Sequence, residues 1–109
     1  MVKITYHRDL SRVTVEGHAN SGEVGHDLVC ASVSILVQTL AAFTENMQEA
    51  GQTRYPLIQI KDGDSVIDPR PLNRHKDAVK LVFDSICGGF QLLSQGHPEH
   101  VSFEIRGKI

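Results

Sequence analysis

The sequence predicts an α+β domain built as a two-layer α/β sandwich, with two long helices on a sheet of about five strands in the order ββαββαβ. Three observations predict it. Short stretches alternate apolar and polar residues with period two, and two longer stretches carry apolar residues at helical spacing. The punctuation between them is glycine, proline and an Asp-Gly pair. At 109 residues, 40% hydrophobic and 22% charged, the chain suits one domain over residues 1–109, with no linker, low-complexity tract or fixed-period repeat.

The first strand is read from Val2, Ile4 and Tyr6 alternating with Lys3, Thr5 and His7, and Arg8 to Ser11 form a turn. Val13 and Val15 alternate with Arg12, Thr14 and Glu16 in the second strand. Continuing that parity through Gly17 places His18 on the polar side. Residues 19–26 are rich in Gly and Ser and lack periodicity, so they read as a mobile surface loop. From Asp27 an apolar stripe of Val29, Val33, Leu36, Leu40, Phe43 and Met47 marks a helix that ends in a left-handed cap at Gly51. Leu57–Lys61 and Ser65–Asp68 flank Asp62-Gly63, a strong hairpin signal. Asn73 is the expected N-cap of a second helix carrying Val79, Phe83, Ile86, Phe90 and Leu93, and Gly96 and Pro98 stop it. Val101, Phe103 and Ile105 alternate in a final strand.

Composition narrows the function classes. Cys30 and Cys87 both fall in helical patterns, without partners at metal-ligand or redox spacing, and read as two reduced thiols. The N-terminus lacks the apolar run and cleavage site of a signal peptide, and no apolar stretch is read as long enough to cross a bilayer, so a cytoplasmic location and no membrane partner are expected. Eleven basic against thirteen acidic residues give a formal net charge of -2, and tryptophan is absent. Direct nucleic-acid binding is therefore not expected.

The chemistry concentrates between Gly17 and Ser34. A cysteine is a nucleophile only as thiolate, and a thiol pKa of about 8.5 leaves few thiolates at neutral pH. In the first turn of a helix starting near Asp27, Cys30 would feel unpaired backbone N–H groups and the positive end of the macrodipole. A histidine within hydrogen-bond reach would add an imidazolium that later donates its proton to a leaving amine. His18 is the preferred base, because working groups are held better on strands than on loops; His26, on the loop itself, is the rival. The plain alternative for Cys30 is inert packing, which is the reading adopted for Cys87, mid-helix beside Ile86.

Asp27 has two readings. It caps the helix through the N–H two or three residues on, or it orients an imidazole as the third member of a triad. Ser34, one turn after Cys30, either touches the reacting region or bonds back to the Cys30 carbonyl. Gly22 and Gly25 permit the backbone freedom a lid over an extended peptide would use. His18, His26, Asp27 and Cys30 could all ligate zinc, but their spacing matches no familiar ligand pattern, so neither metal nor cofactor is expected.

Gly17-His18-Ala19, followed by Gly25-His26-Asp27-Leu28-Val29-Cys30-Ala31-Ser32-Val33-Ser34, resembles the signature of the bacterial ribosomal-processing cysteine proteases, the Prp or YsxB-like family. The resemblance implies a cysteine endopeptidase that removes the N-terminal extension of the precursor of large-subunit ribosomal protein L twenty-seven. On the matching positions Cys30 would be the nucleophile and His18 its base, with Gly17, Asp27 and Ser34 in support. It also implies a homodimer with a loop over the site, here carrying Gly22, Gly25 and His26. The competing expectation is a non-catalytic ribosome-associated module that holds a peptide without cutting it.

Overall fold

The computed structural model describes residues 1–17 and 26–107, with side chains in the second segment described from Leu28 onward. The elements are β1 (Val2–His7), β2 (Arg12–Glu16), α1 (His26–Glu49), β3 (Leu57–Lys61), β4 (Asp64–Asp68), a single 3-10 turn at Asn73–His75, α2 (Lys76–Gly96) and β5 (Val101–Arg106). The expected order ββαββαβ is the observed one. The strands form one mixed sheet in the order β3-β4-β2-β1-β5. β1 pairs antiparallel with β2, Ile4 opposite Val15, and parallel with β5, Ile4 opposite Phe103. β4 is antiparallel to both β2 and β3.

Period-two alternation places Val2, Ile4, Tyr6, Val13, Val15, Ile67 and Val101 in the core, under Val79, Phe83, Cys87 and Phe90 of α2. Phe83 stacks on Tyr6 with ring centroids 6.5 Å apart, and Phe90 on Phe103 at 6.3 Å. Each fully buried side chain of this size contributes about 1.5–3 kcal/mol relative to exposure.

The buried face of α1 is rotated from the expected stripe. Val29, Val33, Val37, Leu40, Ala41, Thr44 and Met47 are buried, whereas Phe43 is 47% exposed and Leu36 packs only partly against the core. The reason is tertiary. Leu36 lies so close to α2 that a Cβ added at Gly89 would sit 2.8 Å from Leu36 Cδ2, so this flank faces the neighbouring helix and Val37 faces the sheet.

Leu28–Glu49 of α1 is long and apolar enough to cross a bilayer by length and composition, an 18-residue window within it reaching a mean hydropathy of 1.6, contrary to expectation. Here it lies on the sheet, with that buried face as its contact.

Helix ends differ in detail. Gly51, at φ +76°, closes α1 as expected: its N–H donates to the Gln48 carbonyl and that of Gln52 to the Met47 carbonyl, the Schellman pattern. Asn73 does not cap α2. It opens the 3-10 turn, and α2 follows His75, which makes no side-chain cap bond.

Chain direction fixes which end of the sheet carries the reactive segment. The peptide after α1 is tied to the segment after β4, through Arg54 N–H to the Arg70 carbonyl, Leu72 N–H to the Gln52 carbonyl and the Thr53–Pro71 bridge. The end of α1 thus lies beyond Asp68, and its start lies at the opposite end. There Gly17 N–H donates to the Gly63 carbonyl at 3.1 Å, and β5 begins after Val2 N–H bonds the His100 carbonyl.

Candidate active site

Gly17 is where β2 is made to stop. Its φ is +93°, and a side chain there would collide with the Met1 carbonyl oxygen. Only glycine meets both demands without strain. Strand alternation therefore ends at Glu16, and the parity argument that put His18 on the polar side has no strand to run along. His18 itself, with Gly22 and Gly25, lies outside the described residues, as do the side chains of His26 and Asp27.

The helix starts one residue earlier than expected. With α1 beginning at His26, Asp27 is the second residue of the helix, a position where an acid complements the dipole. Cys30 is the fifth residue, one position past the first turn in which it was expected. Its own N–H lies past the four donors that a helix start leaves unpaired. The dipole acts on its sulfur at the end of its effective range, and oxyanion donors would have to come from the preceding residues.

The two thiols have different environments. Both cysteines are free; Cys30 is half-buried and Cys87 buried. Burial, reinforced by the Asp84 charge, pushes the Cys87 thiol up to about 12 and keeps it protonated at neutral pH. Among the described residues, Cys30 is the thiol that a reagent or a substrate can reach.

Cys30 precedes Leu36 by six residues, about 120° around the helix, so it lies on the flank of α1 turned from α2. Ser34 follows on that flank, exposed, and its hydroxyl oxygen accepts from Gln38 Nε2 at 3.0 Å. The Ser34 hydroxyl thus bonds Gln38, one turn further on, and makes no back-bond to the Cys30 carbonyl. Gln38 was not singled out in the sequence, although its i+4 spacing from Ser34 was the available signal. The helix back-bond expected of Ser34 is made by Ser32, to the Leu28 carbonyl at 2.8 Å.

Comparison with known proteins adds to this geometry. The family model of the cysteine protease Prp matches residues 1–102. The ribosomal processing cysteine protease Prp of Staphylococcus aureus is 27% identical over 90 residues, covering 82% of this chain and 80% of the relative. Among solved structures, SMU.848 from Streptococcus mutans superposes with a TM-score of 0.63 at 28% identity, covering 98% and 93% of the two chains. Staphylococcus aureus Prp in complex with a substrate peptide superposes at 0.62 with 24% identity, covering 96% and 97%; this is a likeness of fold.

Proposed function

Because the chain belongs to the family of the cysteine protease Prp, we propose that it removes the N-terminal extension of the precursor of ribosomal protein L twenty-seven, using Cys30 and His18. The observation that carries the assignment of the nucleophile is an accessible free thiol near the start of α1, set against a second thiol that burial holds protonated. Related Staphylococcus aureus proteins are ribosomal processing proteases, and one has been solved with a substrate peptide, which supports a peptide substrate of ribosomal origin here.

The chemistry divides one difficult hydrolysis into two steps. The Cys30 thiolate attacks the scissile carbonyl carbon, and the oxyanion that forms is held by N–H groups at the helix start. Collapse breaks the C–N bond, and the His18 imidazolium gives its proton to the leaving amine. Water then attacks the thioester, His18 takes up its proton, and the freed thiolate leaves the product acid. Asp27 acts from the first turn of α1, by favouring the helix start or by turning toward an imidazole. The enzyme works in the cytoplasm, where its ribosomal substrate is made, as a homodimer and without metal, nucleic acid or membrane as a required partner.

Incubation with a peptide spanning the extension junction, followed by mass spectrometry, tests this reading. Wild type is expected to cut and Cys30→Ala to leave the peptide whole while retaining the fold. Binding without cutting by wild type would make the chain a peptide-holding module instead. Full activity in His18→Ala would move the base role to His26.

A further inference from the structure

The flank of α1 that carries Cys30, Ser34 and Gln38 is turned toward the β3 edge of the sheet. Contacts of α1 run to β4 and those of α2 to β5, so with the order β3-β4-β2-β1-β5 the side of α1 away from α2 is the β3 side. Among the described residues, β3 is an edge strand whose outer main-chain groups have no strand partner. The β3–β4 hairpin and the start of α1 share one end of the sheet, since Gly17 bonds Gly63 there while the end of α1 is tied beyond Asp68.

Register identifies the groups that point outward. Lys61 and Asp64 flank a two-residue connection and form the closing pair of the hairpin, with Gln59 opposite Val66 and Leu57 opposite Asp68. Antiparallel pairs alternate between exchanging hydrogen bonds and not doing so, and the pair closing a two-residue turn exchanges them. Leu57, Gln59 and Lys61 therefore face β4 with their amides. The N–H and C=O groups of Ile58 and Ile60 face away from it.

Their side chains alternate to the face of the sheet under the helices, opposite Ile67 and Ser65. Ile58 packs against the core, whereas Ile60, nearer the hairpin and so nearer Cys30, is 50% exposed on that face. The flank of α1 turned from α2 carries Ser34 and Gln38. Their mutual bond leaves the Ser34 hydroxyl proton and Gln38 Oε1 to serve a ligand.

We infer that the peptide is held as an added strand on β3, hydrogen-bonded to the main chain of Ile58 and Ile60, with an apolar substrate side chain over Ile60. This rests on the proteolytic reading above and specifies how that site holds its substrate. An extended chain on β3 has a pleat of period two, so its amides turn alternately toward the edge and away from it. It is the occupant the surroundings favour: a row of donors and acceptors without a strand partner among the described residues, a half-exposed isoleucine, and a polar flank of α1 that also carries Cys30.

The test uses the full chain and the extension-junction peptide. Ile60→Pro removes an outward N–H without removing a bond to β4, a substitution edge strands accept. It is expected to raise KM about tenfold, the loss of a hydrogen bond and of apolar contact, with kcat within about twofold. Alkylation of Cys30 by iodoacetamide is expected to stay at the wild-type rate, showing that the thiol is intact. Independently of any variant's folding, peptides N-methylated one amide at a time, with binding to Cys30→Ala read by fluorescence anisotropy, are expected to lose affinity at every second position. Uniform tolerance along the peptide, or an unchanged KM in folded Ile60→Pro, overturns the inference while cleavage by wild type leaves the protease reading standing. Period-two binding without cleavage by wild type would support the added strand and overturn the protease reading.

Discussion

At the scale of residues, the contrast between Cys30 and Cys87 is one of surroundings, since the two side chains are chemically identical. Burial removes water from Cys87, Asp84 adds a like charge to any thiolate formed there, and the thiol is held at about 12. Iodoacetamide at pH 7 is expected to modify Cys30 at least tenfold faster than Cys87, because modification requires both thiolate and access. Peptide mapping after timed quenching reads both sites in one experiment; equal slow rates would remove Cys30 as an activated nucleophile. Gly17 is a second residue whose role is local: the positive φ and the Met1 carbonyl make it the point where β2 ends and the segment leading to Cys30 departs.

At the scale of elements, one carboxylate adds a polar tie to the apolar join between sheet and α2. Asp84 Oδ1 accepts from the Tyr6 hydroxyl at 2.7 Å and from Arg8 Nε at 3.0 Å, while Oδ2 accepts from Arg8 Nη2 at 2.9 Å. Tyr6 is buried, and desolvation with the Asp84 hydrogen bond raises its pKa. Arg8, foremost through its hydrogen bonds, holds the Asp84 carboxyl below its ordinary value. A carboxylate lowered in the folded state binds fewer protons there than in the unfolded chain, so its stabilisation is present above the unfolded pKa of about 3.9. It is lost as pH falls through the lower folded value. Asp84→Asn is expected to cost about 2 kcal/mol at pH 7 by weakening charge-assisted bonds. Urea unfolding at pH 7 and at pH 3 checks this, with the gap between wild type and variant narrowing in acid; a constant gap would show that the charge contributes nothing.

The same scale explains what the pattern of α1 left open. Leu36 and Val37, like Phe43 and Thr44, are adjacent positions that a 3.6-residue period admits to one stripe, and sequence spacing alone does not rank them. The approach of α2 at Gly89 decides: Leu36 turns to the helix neighbour and Val37 to the sheet.

At the scale of the whole molecule, the helical layer has an outer surface more apolar than a lone domain needs. Leu28 and Ile35 on α1 are 67% and 59% exposed, and Leu81 and Leu92 on α2 are 67% and 69% exposed. They face away from the sheet, because the buried stripes of the two helices occupy the opposite sides. This surface supports the proposed homodimer. Sedimentation at micromolar concentration is expected to give twice the 12.0 kDa chain mass for wild type and the monomer for Ile35→Glu. A wild type that sediments as monomer would set the homodimer aside.

What the sequence by itself determined is the list of elements, their order and the candidate thiol. Those rest on short-range regularities: two-residue and 3.6-residue periods, the Asp-Gly turn, and the Gly51 cap with its two closing bonds. Local chemistry does not settle every end, since Asn73 has the chemistry of a cap but opens a 3-10 turn. Only the tertiary structure decided the strand order, which element lies at each edge, which flank of α1 turns from α2, and why Gly17 tolerates no side chain. Each depends on a partner distant in sequence: Gly89 for Leu36, Met1 for Gly17, and β4 for β3. Packing and close approach between such partners leave no periodic trace along the chain, so the placement of Cys30 on the flank of α1 turned from α2 became visible only once the layers were assembled.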